Sequence, residues 1–287
     1  MSVTDTAPIA PPRRARSRRS WLFAAGLILV GLNVAVALLT LVWLPYDPSS
    51  TAGGRLEAPS LLHWAGTDRL GRDLFTQIMI GARIALTVGA GAIAIGATIG
   101  VTLGVLAAFA TRLLDDAFAA AFDILIAFPT LLLAMLVVAA SDTATLGSAI
   151  LALGIAISAI VARLARILAK RVLAMDYITA ARTSGTSWPR IVFKHVLPNI
   201  WPTLLVNFAL QFGLAIIAEA SLSYLGLGAP PPNASWGRLL QEAQGTVYTA
   251  PFGAIAPVLA LVALVIGINL LADGLRDIAD PTRRGTR

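Results

Sequence analysis

The sequence predicts an all-α membrane protein that crosses the bilayer six times, and three observations carry that reading. Of its 287 residues 57% are apolar and only 13% are charged, too few charges to cover a soluble domain. The apolar residues gather into six long runs bounded by charges or by Pro, Gly and Asn. Lys and Arg alternate between rich and poor connecting segments. Cysteine is absent, which removes thiol chemistry, a disulfide framework and any cysteine-ligated metal. The net charge of +7 would suit nucleic acid only if the basic residues shared one soluble face, and they do not.

Taken in order, residues 1–20 hold Arg13, Arg14, Arg16, Arg18 and Arg19 among Pro, Ala and Ser, and read as a disordered basic tail. Residues 21–43 contain no charge; at about 1.5 Å per residue they exceed the roughly 30 Å hydrocarbon core. The run is longer than a signal-peptide core of roughly 7–15 residues, and WLPYDPSS is no small-residue cleavage site, so it reads as a retained helix. Further spans fall at about 81–110, 117–140, 147–168, 201–225 and 251–272. With the amino terminus inside, segments 1–20, 111–116, 163–200 and 273–287 are cytoplasmic, and so are both termini. Of 22 Lys and Arg, only Arg55, Arg69, Arg72, Arg83 and Arg238 then lie outside, as the positive-inside rule requires. Charge here orients the chain against an anionic leaflet; the expected partner is the lipid bilayer, with no nucleic acid. The organisation is a tail (1–20), a first helix (21–43), an extracytoplasmic segment (44–80), a transmembrane core (81–273) with a cytoplasmic coupling loop (169–200), and a cytoplasmic tail (274–287).

The loop DYITAARTSGTSWPRIVFKHVLPN keeps helical character at a membrane face. Residues 175–184 are mostly good helix formers, and Gly185 follows where a helix would stop. A second short run, 191–196, ends before Pro198, whose ring disfavours helix at the preceding residue. Ala180, Ala181 and Gly185 put little bulk on one side, while Asp176, Arg182, Arg190 and Lys194 place charges around it. Such a stiff, small-faced helix suits docking against another surface; an amphipathic linker lying on the bilayer would show a similar composition.

This loop resembles the cytoplasmic signature of ABC importer permeases: Glu-Ala-Ala, three residues, Gly, nine residues, then Ile-x-Leu-Pro. Here it reads Thr179-Ala180-Ala181, Gly185, then His195-Val196-Leu197-Pro198, with spacing kept, Thr179 in the place of Glu and His195 in the place of Ile. The ending HVLPN is similar to the peptide and nickel branch, as are GTDRLGRDLFTQIMIGARIAL (66–86), FDILIAFPTLLLA (122–134), AEASLSYLGLGAPPPNASWG (218–237) and NLLADGLRDIADPTRR (269–284). The resemblance covers nearly all of 66–284 and is nearest to the C-type permease of dipeptide or oligopeptide systems, with glutathione or nickel as the alternative solutes of the same machinery. It implies a type I ABC importer permease fold, working with a second homologous permease, two ATP-binding cassette subunits and an extracytoplasmic solute-binding protein. ATP and Mg would be bound by the ATPase partners, with no cofactor in this chain. Consistent with that, the sequence has no G-x-x-x-x-G-K-[ST] loop, and Lys170 and Lys194 are its only lysines. No catalytic residue is expected. The resemblance assigns the coupling role to Thr179, Ala180, Ala181, Gly185, His195 and Pro198, and the charges around them add Asp176, Arg182 and Arg190 to the expected coupling loop.

For a translocation path, Asn207 and Gln211 share one face of the fifth span at i and i+4; they suit either a passing peptide or an interhelical hydrogen bond. Glu219, nearer the outer end, suits a peptide amino terminus or pairing with an outer Arg. Asp123 and Pro129 mark a gating point or a static bend in the third span. The Gly96–Gly100–Gly104 spacing reads as close helix packing. His63 and His195 lack a second ligand at metal-binding spacing, so no metal site is expected. An ion-coupled secondary transporter would instead show mid-membrane carboxylates and an internal repeat, and the sequence shows neither.

Overall fold

The computed structural model describes residues 15–51, 53–141, 145–228, 230 and 234–279. Among these, regular structure is helical throughout, apart from a single bridge between Thr67 and Asp73. The order is α1 (Ala15–Leu39), α2 (Leu74–Phe109), α3 (Arg112–Ala127), α4 (Thr130–Ala139), α5 (Leu146–Leu173), α6 (Asp176–Thr183) and α7 (Trp188–Ile191). A π turn at Val192–Val196 leads into α8 (Leu197–Tyr224), followed by α9 (Trp236–Ala243), a 3-10 turn at Gln244–Thr246 and α10 (Phe252–Ala279). Five helical stretches are long and apolar enough to cross a membrane; α3 and α4, bent by 89° to one another, make a sixth when counted as one span.

Several boundaries differ from the sequence expectation. Helix α1 begins at Ala15, inside the segment expected to be a tail; residues 1–14 lie outside the described residues, as do 280–287. Helix α2 starts seven residues before position 81. Asp73 caps it, accepting from the Thr76 N–H at 2.7 Å and the Thr76 hydroxyl at 2.8 Å, which satisfies a donor the first turn leaves free. Helix α5 opens on a reciprocal Thr145–Ser148 capping box and runs five residues beyond 168.

The third span is not continuous. Phe128 is extended (ψ 130°) and Pro129 takes the N-cap position of α4, because proline excludes helical backbone from the residue before it. Pro129 therefore turns a corner, and does not kink a helix. Pro198 departs from expectation the other way. Instead of ending a helix, it sits in the first turn of α8 directly after the π turn, where the Leu197 N–H donates to the Val192 carbonyl. The wide turn shifts the hydrogen-bond ladder where proline lacks a donor.

At the centre α2 packs along α5, and α8 and α10 close around them, with α1 outermost against α10 and α2. The α2–α5 seam is backbone against backbone. A Cβ at Gly100 would lie 2.6 Å from the Ser158 carbonyl oxygen, and one at Gly104 would lie 2.3 Å from that of Ala162. Gly154 of α5 answers from the other side, against Ile95. The glycine spacing is therefore a packing device.

Candidate functional site: the α6–α7 platform and the polar face of α8

Helices α6 and α7 form a small platform at one end of the bundle. Asp176 opens α6, favourable at a helix N-terminus. The helix closes on Gly185 at φ +81°, with the Gly185 N–H donating to the Arg182 carbonyl and the Thr186 N–H to that of Ala181. That pairing is a glycine-terminated Schellman stop. Ile178 is 1% exposed and is the inward anchor, packed with Ile191, Val196, Ile200 and Leu204. Outward, Thr179, Ala180, Arg182, Gly185, Arg190 and Pro198 are exposed, and Ala181 and His195 half-buried. The residues named from the sequence for docking are therefore largely accessible, with little side-chain bulk at Ala180, Ala181 and Gly185.

Sequence reasoning missed what braces this platform. The Arg182 guanidinium lies 4.3 Å from the Trp188 ring centroid, and Trp188 meets Phe109 of α2 edge-on at 5.0 Å. The first contact contributes about 0.5–1 kcal/mol at an exposed site, and together they tie α6, α7 and α2. Tyr177 and His195 lie ring to ring at 6.0 Å, and the Asn199 amide donates to the Tyr177 hydroxyl and the His195 carbonyl. The aromatic residue before a proline in TSWPR was the available signal.

Nearby, Asp115 at the start of α3 is buried and accepts from Arg166 Nε at 2.6 Å and from Lys170 Nζ. Two cations of the basic α5 end thus hold α3 in place. Asp123 pairs with Arg163 at 3.3 Å, both about half exposed. Asp123 and Pro129 are not brought together, since Pro129 stands beyond the end of α3.

Along α8, Gln211 is buried and Asn207 half-buried, its Oδ1 buried without a hydrogen-bond partner. The face of α8 that the chain leaves open holds Leu210, Leu214 and Ile217. Glu219 is 2% exposed and accepts from the Ser223 hydroxyl at 2.7 Å and from the Ser235 hydroxyl. Its partners are two serines and not the expected outer arginine. A carboxyl this deep is served by short donors already in the protein, at the cost of no long cationic side chain. Beside it Trp236 inserts between α2 and α8: its indole N–H donates to the Ile78 carbonyl at 3.0 Å, and Gly81 leaves the space its ring fills.

The segment joining α1 to α2 is stapled rather than loose. His63 Nδ1 lies 3.0 Å from Asp73 Oδ1, the Thr67 hydroxyl donates to the Gly54 carbonyl at 2.6 Å, and Arg72 bridges Asp68 and Glu242, at 2.5 Å and 2.8 Å. Among the described residues no group of three or more His, Cys, Asp or Glu is arranged to hold a metal ion.

The chain is similar to known proteins in sequence and in fold. The family model described as binding-protein-dependent transport system inner membrane component matches residues 100–285. The chain is 41% identical to the glutathione transport system permease protein GsiD of Pectobacterium atrosepticum, over 90% of this chain and 86% of that one. It is 36% identical to the dipeptide transport system permease protein DppC of Alkalihalophilus pseudofirmus, over 95% and 90%. A crystal structure of an amino acid ABC transporter with histidines shares the fold, with a TM-score of 0.53 at 17% identity, covering 70% of this chain and 94% of that one. A multi-pass chain with this helix order, carrying a glycine-stopped platform within the matched residues, belongs to the family of inner-membrane components of binding-protein-dependent transport systems.

Proposed function

We propose that the chain is one permease of an ATP-binding-cassette importer for peptides, forming half of the translocation path beside a second homologous permease. Two ATPase subunits bind ATP and Mg and dock on the α6–α7 platform from the cytoplasm, and an extracytoplasmic protein delivers the solute. The observation that carries this reading is the platform itself: the short helix α6 with Ala180, Ala181 and Gly185 on an accessible face, anchored by Ile178, beside α7, which runs through the π turn into α8. A displacement imposed there reaches the helix bearing Asn207, Gln211 and Glu219, as alternating access requires. The family assignment and the absence of a phosphate loop both support energy arriving from another chain. Di- and oligopeptides are the preferred solutes because relatives matched over nearly their whole length carry dipeptide or glutathione transport in their names; glutathione is itself a tripeptide, so one path chemistry serves both.

In reconstituted importer, Ala181→Arg abolishes uptake and releases ATPase activity from its dependence on solute-loaded binding protein, while the variant still inserts and assembles. Uptake that survives the bulky charge removes the docking role and returns the segment to a linker on the bilayer.

A further inference from the structure

Within the segment joining α1 to α2, a turn is closed by the Ser60 N–H donating to the His63 carbonyl at 2.8 Å and the His63 N–H donating to the Ser60 hydroxyl at 3.0 Å. Turn tips ordinarily carry Gly, Pro, Asn, Asp or Ser. This one carries Leu61 and Leu62, 96% and 74% exposed, followed past the buried His63 by Trp64 at 63%. Residues 58–65 hold no Asp, Glu, Lys or Arg, whereas Arg55, Glu57, Asp68, Arg69, Arg72 and Asp73 flank them closely. The tip is not exposed through looseness. His63 is fixed on Asp73, Thr67 on Gly54, and Leu56 is held at φ +58°, a left-handed conformation that a leucine adopts only when its surroundings impose it.

Two contacts set where this tip stands. The Tyr46 hydroxyl donates to the Leu62 carbonyl at 2.8 Å, three residues beyond Trp43 and the exposed Leu41 and Val42 that follow α1. Trp64 packs its ring 5.0 Å from that of Phe75, in the first turn of α2. The tip is thus fastened to the ends of two membrane-crossing helices on one side of the bundle. There the polar headgroup zone adds roughly 5–8 Å to each face of the hydrocarbon core, and Trp side chains settle at that level.

We infer that Leu61, Leu62 and Trp64 form a lipid-facing anchor, inserted into the headgroup and upper acyl region of the leaflet on that side. The occupant is lipid because the patch is fastened through Tyr46 to the stretch that follows α1 and through Trp64 to the first turn of α2, is free of charge, and is rigidly presented. The inference stands independently of the solute and of the docking role.

The chain has no cysteine, so one label reports one site. Leu61→Cys carrying an environment-sensitive fluorophore is reconstituted, within the assembled importer made with cysteine-free partners, into phosphatidylcholine and phosphatidylglycerol vesicles. Arg55→Cys, on the same segment and also exposed, is the control. Blue-shifted emission at Leu61, with several-fold stronger quenching by headgroup-level nitroxide lipid than at Arg55, is the expected result. Equal, water-like emission at both sites overturns the inference. So does shielding at Leu61 that appears only when the solute-binding protein is added, which assigns the patch to that protein.

Discussion

At Gly185 no atom lies within 4 Å of the place a Cβ would occupy, so what the position demands is a backbone conformation and not room. A left-handed residue with a Cβ costs about 1–2 kcal/mol, and Asn bears that cost better than other side chains. Gly185→Asn is therefore expected to keep more uptake than Gly185→Val, which loses the stop between α6 and α7; initial uptake rates of the two variants at matched expression decide it. Glu219 makes a different demand. Its partners are hydroxyl donors, so an amide oxygen can replace its acceptor, whereas a methyl leaves Ser223 and Ser235 without one at about 1–3 kcal/mol. Glu219→Gln is expected to melt in detergent near the parent temperature and Glu219→Ala clearly below it. Equal losses would show that the carboxyl itself, and not an acceptor, is what the site requires.

Between elements, the α2–α5 seam sets how close two central spans can lie. In lipid there is little hydrophobic gain from bringing helices together, so contact at backbone distance and small residues take over that task. Gly100→Leu drives a side chain into the Ser158 carbonyl and Val161, an overpacking that costs about 1–3 kcal/mol or more. Lower yield of monodisperse protein and a lower melting temperature are expected, while Gly31→Leu, where a Cβ meets nothing within 4 Å, is tolerated. The two prolines at element boundaries act in opposite senses. Pro129 follows a residue free to become extended and makes a corner; Pro198 follows a turn that widens and lets the helix go on.

For the whole molecule, the spans were legible because apolar length is a local property, and the platform because Ala180, Ala181, Gly185 and Pro198 keep the spacing of the permease signature that the loop resembles. Their ends were less so: the Asp73 cap is one side chain among several polar neighbours, and only its bonds to Thr76 mark it. Least legible were contacts between distant residues. Glu219 finds Ser235 sixteen positions along the chain, Trp236 reaches the Ile78 carbonyl, and Arg72 joins Glu242. Nothing in hydropathy pairs such residues, and a buried acid read alone suggests an arginine.

The helical course from Trp188 to Tyr224 contains no loop, only one wide turn. In mechanical terms α7 and the far end of α8 are two ends of a single helical course about 55 Å long, jointed at Val192–Val196 and carrying Pro202 within α8. Under the proposed docking role, slack absorbed at Val192–Val196 is lost close to α7, and whatever passes it is carried along α8 toward its far end.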